Sequence, residues 1–365
     1  MAFGVKTASR ALGSGSTLPI LAGIKLEAQG GELRLTATDL ERAIVVTVPL
    51  IEGEGEGACV IAGGLLSKIV GMLPEQQLRV RLDDAGDKVM IASGEATFEL
   101  LLLPLEDYPE IPPIPDETLC AIGRERLASA LERTTFAAMS ARETSRLNLT
   151  GVDILTRGEK IVMVATNGYR LALKEEQLES SAPEGEYLVD ADALKDLQGI
   201  LKDLEDEQVR IAHREGHLFF ITSKMVFIAR LIQEEYPDFE RVIPRDNPLG
   251  LYLSREAFLS ALQRAEITTA AESGAVVLEA RDSTLVIKSS SAEKGQTEER
   301  IPLLKGAESI VISFRGEYLI EALRRINSAE VVLWLKDSES AGLLEPADSE
   351  EDQGFLYVCM PIRMD

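Results

Sequence analysis

FIARLIQEEYPDFERVIP, residues 227–244, has a double earlier in the chain: FELLLLPLEDYPEIPPIP, residues 98–115. Each is a strand-like apolar run, then a Tyr-Pro pair, then a proline-rich exit. Tyr108-Pro109 and Tyr236-Pro237 stand about 128 residues apart, the size of one domain. FLYVCMPIRM, residues 355–364, matches the start of the same unit without its Tyr-Pro part. The period therefore predicts three tandem repeats.

Working outward, the remaining segments fall into register. GVKTASRAL, GRERLASALERTTFAA and LSREAFLSALQRAEITTA open the three repeats as amphipathic helices. In the last of these, Phe258, Leu259, Leu262 and Ala265 form one apolar stripe at helical spacing. Strand pairs follow, and Gly30-Gly31 is a hairpin-turn signal. A second helix comes next in each repeat: AGGLLSKIVGML, ADALKDLQGILKDL and RGEYLIEALRRI. Further strands close each unit. The fold class is α+β, with two helices packed on antiparallel sheets in each repeat, sheets outside and helices on one common face. Proline-rich IPPIPDE and IPRDNP set the boundaries, giving domains 1–117, 118–246 and 247–365.

The solvent faces of the helices carry recurring bases. Leu194, Leu197, Leu201 and Leu204 turn inward, which leaves Lys195 and Lys202 on the opposite face. Leu127 and Leu131 pack, with Arg126 and Arg133 opposite them. Lys6 and Arg10 lie one turn apart on the first helix, and Lys68, Arg264 and Arg324 take similar positions elsewhere. Acids are interleaved, among them Glu132, Asp192, Asp196, Glu317 and Glu321. A single such helix is an ordinary solvated face. Recurrence matters here because the chain has a formal net charge of -23. A basic lining inside an acidic shell would hold a polyanion by its phosphates, without reading bases.

Catalytic patterns are missing. The two histidines, His213 and His217, flank Gly216 in a hairpin-like segment, where they do not converge as on a metal-binding helix. The Gly-rich stretches at 13–16 and 53–57 lack the Gly-Lys-Ser/Thr ending of a phosphate loop. No Asp/Glu set has metal spacing, and no cofactor or metal is expected. Cys59, Cys120 and Cys359 are too scattered for a disulfide framework and read as reduced thiols, hence a cytoplasmic protein. The first residues have no secretory h-region. The longest apolar run, FELLLLPL, is too short to span a bilayer, so no membrane partner is expected.

TLPILAGIKLEA, LRLTATDLE, VATNGYRLAL, EEYPDFERVIP and YVCMPIRM occur in this order along the chain. In these motifs and their spacing, over essentially its whole length, the chain resembles the bacterial sliding clamps, the beta subunits of DNA polymerase III. The resemblance implies three tandem DNA-clamp domains whose helices line a ring interior. It implies a head-to-tail homodimer that encircles duplex DNA without sequence preference and has no catalytic activity of its own. It also implies partners: the replicative polymerase, a clamp loader and other proteins carrying a QLxLF-like peptide.

Carried over residue by residue, the resemblance implies a peptide pocket between the second and third domains. Its residues would be Leu149, Thr166, Gly168, Tyr169, Arg170, Leu171, Pro237, Arg241, Val242, Val358, Met360, Pro361, Ile362, Arg363 and Met364. Methionine adapts to varied apolar partners, and an apolar groove with an arginine rim suits linear peptides. The dimer contact would use Phe98 and Leu100 against Ile267 and Thr268. Three departures stand out: Asn167-Gly168-Tyr169 where the family commonly has Asp-Gly-His or Asp-Ser-His, an additional Asp365, and Gly15 where some relatives have an arginine. Arg142 is the candidate that compensates for the last. Two other readings compete: a peptide-binding scaffold of this fold that does not encircle DNA, and a hydrolase using carboxylates alone.

Overall fold

The structure is a computed structural model, and it describes residues 1–13, 15, 17–52, 56–73, 77–83, 86–347, 349–350 and 352–363. Of the residues expected to matter, Met364 and Asp365 lie outside this set, as does part of the glycine-rich stretch at 53–57. Six α-helices occur among the described residues: α1 (Ala2–Ala8), α2 (Gly63–Met72), α3 (Arg124–Thr134), α4 (Ala191–Leu201), α5 (Arg255–Glu266) and α6 (Gly316–Leu323). They alternate with antiparallel strands, as the repeat requires.

The helix ends follow from local chemistry. The Asp190 carboxylate accepts from the Ala193 amide at 2.9 Å at the start of α4, and the Ser254 hydroxyl accepts from Ala257 at 3.4 Å at the start of α5. Both satisfy an amide that has no intrahelical partner. In α5 the buried stripe is Phe258, Ala261, Leu262 and Ala265, with Leu259 half-buried.

The chain divides into two compact units. Unit 1 is Met1–Glu125 with Gly199–Leu231, and unit 2 is Arg126–Gln198 with Ile232–Asp365. The units do not follow the repeats, because strands of neighbouring repeats share a hydrogen-bonded ladder. In unit 1, Arg42–Pro49 of the first repeat pairs with Met225–Arg230 of the second, with Ile44 opposite Phe227. This joins them into one eight-stranded sheet, beside a three-stranded sheet of Arg79–Leu82, Lys88–Ser93 and Ala96–Leu101. In unit 2, Arg170–Asp190 of the second repeat pairs with Phe355–Cys359 of the third, with Leu171 opposite Val358. That sheet has six strands, and a long hairpin, Ala275–Ser291 with Gly295–Arg315, packs with α5 and α6.

His213 and His217 flank a tight hairpin, Gln208–Arg214 to His217–Ile221. Its central residues, Glu215 and Gly216, have φ of 49° and 76°, the left-handed pair a two-residue turn needs. All three cysteines are buried and free. Burial pushes the Cys59 and Cys120 thiols up to about 11 and that of Cys359 to about 12, so their thiolates are scarce near neutrality. No described helix is long and apolar enough to cross a membrane.

Candidate functional site

Three segments of unit 2 converge on one buried cluster. Leu171 and Leu173 come from the strand Arg170–Asp190. Tyr236, Phe239 and Ile243 come from the Tyr-Pro segment, and Val358 and Leu356 from the strand Phe355–Cys359. The Met360 amide donates to the Tyr169 carbonyl at 2.8 Å, fastening the end of the last strand to the turn at 167–169. Asn148 joins a fourth segment, its side-chain amide donating to the Glu235 carbonyl at 2.9 Å. Leu149 in that segment is buried.

Apolar side chains stay exposed on these segments: Tyr169 at 64%, Val242 at 51% and Met360 at 43%. Pro237 is exposed, and Pro361 and Ile362 are half-buried. Beside them stand Arg241, in an ion pair with Asp238 at 2.7 Å, and the exposed Arg363. The turn is built by its own side chains. Asn167 Oδ1 accepts from the amides of Tyr169 at 3.0 Å and Arg170 at 3.1 Å. Gly168, at φ 86°, takes the left-handed position. Asparagine therefore supplies the same cap that an aspartate would.

The expected pocket residues differ in exposure. Leu149, Thr166, Leu171 and Val358 are buried, whereas Gly168, Tyr169, Pro237, Arg241, Val242, Met360 and Arg363 are exposed. Arg170 requires a correction, because its guanidinium is no part of an exposed rim. The side chain is buried on the face away from Leu171, since neighbours on a strand point to opposite faces. It lies over the rings of Phe136 at 5.3 Å and Tyr318 at 4.5 Å, pairs with Glu321 and donates to the Phe136 carbonyl at 2.6 Å.

Unit 2 also holds two buried polar groups that the sequence reading did not flag as such. Asp153, 1% exposed, has an Oδ1 atom without a hydrogen-bond partner, and the Tyr236 hydroxyl is likewise unpartnered. Burial, with the nearby Glu186 charge, raises the Asp153 carboxyl to about 7 against the pull of Arg157. A lone aspartate in the apolar strand GVDILT was the available signal.

Exposed bases occur on five of the six described helices, as Lys6, Lys68, Arg126, Lys195 and Arg264, and Arg324 caps the C-terminal end of α6. Lys202 and Arg142 are also exposed, and Arg10 is half-buried. Several meet acids in solvent, as in Lys6 with Asp203 at 2.7 Å, Lys195 with Asp192 at 2.8 Å and Arg264 with Glu299 at 2.8 Å. Such exposed pairs contribute little to stability and exchange readily for another anion. Arg133 is a second correction. It is buried and paired with the fully buried Asp352, so it faces no ligand. Asp352 also accepts from the amides of Asn327 at 2.8 Å and Ser328 at 2.7 Å, which makes this a structural cross-tie.

Of the expected dimer residues, Ile267 is 69% exposed and Phe98 half-buried. Leu100 is a third correction. It faces the core with Val89 and Ile91, and its neighbour Leu101 is the exposed one, at 74%. Four consecutive leucines hide this alternation from any periodicity. The Thr268 hydroxyl is engaged internally, with Ser289 at 2.7 Å and Thr297 at 2.8 Å. Among the described residues no cluster of His, Cys, Asp or Glu could hold a metal.

Comparison with known proteins matches all three repeats. The DNA polymerase III beta subunit models match as N-terminal domain over residues 1–112, central domain over 121–238 and C-terminal domain over 240–363. A beta sliding clamp of Staphylococcus epidermidis is 28% identical over 97% of this chain and 94% of its own length. One from Pseudomonas putida is 29% identical over 95% and 93%. The beta subunit of Thermotoga maritima superposes with a TM-score of 0.92 at 28% identity, covering 100% of this chain and 97% of that one. A Pseudomonas aeruginosa sliding clamp bound to griselimycin gives 0.92 at 25% identity over 100% and 97%. The chain belongs to the DNA polymerase III beta subunit family, the bacterial sliding clamps.

Proposed function

We propose that the chain forms a ring-shaped homodimer that encircles duplex DNA in the cytoplasm and confers processivity on the replicative polymerase. Three clamp domains, 1–117, 118–246 and 247–365, make up each subunit, and their helices line the ring. The observation that carries the reading is the recurrence of exposed Lys or Arg on five helices and at the C-cap of the sixth, in a chain with net charge -23. Phosphate contacts of this kind hold DNA without fixing sequence, as a sliding ring requires. The subunit itself catalyses nothing. It raises the local concentration of the polymerase at the primer end.

The exposed Tyr169, Val242 and Met360 above the buried cluster of unit 2 form the docking groove for QLxLF-like peptides of the polymerase, the clamp loader and other partners. Arg241 and Arg363 are its rim. The dimer contact joins Phe98 and the edge strand Ala96–Leu101 of one subunit to the region of Ile267 and Thr268 of the other. Sedimentation velocity at micromolar concentration tests this assembly. A species of twice the chain mass is expected. A monomer that still binds peptide would replace this reading with that of a non-encircling scaffold.

A further inference from the structure

The turn of the docking groove in unit 2 has a twin in unit 1. Thr38-Asp39-Leu40-Glu41-Arg42 stands at the same offset from Thr166-Asn167-Gly168-Tyr169-Arg170 as the first Tyr-Pro pair does from the second. The two turns share their capping bonds. Asp39 Oδ1 accepts from the amides of Glu41 at 3.1 Å and Arg42 at 2.8 Å, as Asn167 Oδ1 does from Tyr169 and Arg170. Thr38 Oγ1 donates to the Arg42 carbonyl at 2.8 Å, as Thr166 Oγ1 does to that of Arg170 at 2.6 Å. The Arg230 amide donates to the Glu41 carbonyl at 2.8 Å, matching Met360 to Tyr169 at 2.8 Å. Below, Ala43, Ile228 and Ile111 pack into one apolar cluster, in the places of Leu171, Val358 and Phe239.

Two differences give this twin its own character. The first is Leu40, at φ 77° where Gly168 has 86°. A bulky residue there is strained, because its Cβ crowds the following carbonyl oxygen. Its side chain is nonetheless 47% exposed, so burial does not offset the strain within the chain. A residue that breaks both the backbone rule and the surface rule at once points to use. Ile114, which holds the place of Val242 in the period, is also exposed, at 38%. The second difference is charge. Glu41 and Arg230 replace Tyr169 and Met360 and pair at 3.2 Å, with side chains 71% and 56% exposed.

We propose that this surface of unit 1, around Leu40, Glu41, Arg230 and Ile114, is a second docking site that takes a linear peptide with an aliphatic anchor flanked by lysine or arginine. The anchor covers Leu40. The basic side chain competes for the Glu41 carboxylate, which is committed only to an exposed pair of small worth. The net charge of -23 attracts a cationic segment and repels an acidic one. This extends the docking reading of unit 2 but does not depend on it.

Fluorescence anisotropy on the full-length protein tests the proposal, with a labelled GKLLKFG probe, its acidic counterpart GELLEFG and a QLxLF peptide. GKLLKFG is expected to bind wild type, to weaken about tenfold or more with Leu40→Gly, to weaken with Glu41→Lys, and to be unaffected by Met360→Glu. Leu40→Gly relieves the left-handed strain, so its thermal midpoint should not fall and loss of binding cannot be misfolding. Equal affinity of Leu40→Gly and wild type would overturn the proposal, as would loss of GKLLKFG binding with Met360→Glu or tighter binding of GELLEFG. A sedimentation change with Leu40→Gly would make the surface a contact between copies instead, which also overturns it. Survival of QLxLF binding in Met360→Glu would count against the unit 2 groove alone.

Discussion

The Met360 amide donates to the Tyr169 carbonyl at 2.8 Å, although the two residues belong to different repeats. One exposed apolar side chain is thereby set beside another, over a cluster that is already closed. The proposed peptide groove rests on this contact. Met360→Glu should lower QLxLF-peptide affinity by about a hundredfold, since a charge there must be desolvated on docking. The sedimentation of the protein should not change. Isothermal titration against the free peptide reads the first effect, and unchanged affinity would remove Met360 from the groove.

Arg170 predicts a stability effect rather than a binding one. Replacing it with Met leaves Glu321 without its partner beside the rings of Phe136 and Tyr318. Breaking a largely buried pair in this way costs about 3 kcal/mol. Thermal unfolding should show a lowered midpoint, partly restored when Glu321→Gln is added, because the second change removes the stranded charge.

Asp153 predicts a pH dependence. Its carboxyl is raised from 3.8 to about 7 in the folded protein, so the folded state retains a proton that the unfolded chain releases. Stability from this group is complete below about pH 4, the unfolded carboxyl range, and is lost as pH rises towards 7. The loss is at most about 4 kcal/mol. Denaturant melts of wild type and Asp153→Asn at pH 5 and pH 8 isolate it. The asparagine variant should gain relative to wild type at pH 8, and parallel pH profiles would contradict the assignment.

Ile267 predicts an effect confined to assembly. It is 69% exposed, so Ile267→Asp should change the stability of the isolated subunit by no more than about 0.5 kcal/mol. The same change should weaken the dimer. Sedimentation equilibrium checks this, and an unchanged dimer constant would move the contact elsewhere.

Lys195 and Lys202 predict a salt effect. The double change to Glu removes two phosphate contacts, so the salt dependence of DNA binding should become shallower. The largest loss should come at low salt, where released counterions count most. A uniform loss at every salt concentration would mean that these lysines do not meet phosphate.

Local chemistry was legible in the sequence and long-range pairing was not. The hairpins at Gly30-Gly31 and at His213–His217 were marked by residues that tolerate a left-handed backbone, and the helix stripes by their spacing. Arg133 was misread as a surface arginine, and the burial of Arg170 went unseen, because their partners, Asp352 and Glu321, are remote in sequence. Leu100 was misread because every neighbour on its C-terminal side is also leucine. The ladder between Arg42–Pro49 and Met225–Arg230 lacked a signal too, since buried strands in both repeats have the same apolar composition. The grouping of Tyr169, Val242 and Met360 came from family resemblance, not from pattern.

Encirclement is the central claim, and it is topological. The direct measurement is retention on closed circular duplex DNA after clamp-loader action, compared before and after a single restriction cut. The ring predicts that protein stays with the intact circle through gel filtration at moderate salt and is released when the circle is opened. Equal retention, or equal loss, on the two forms would contradict it.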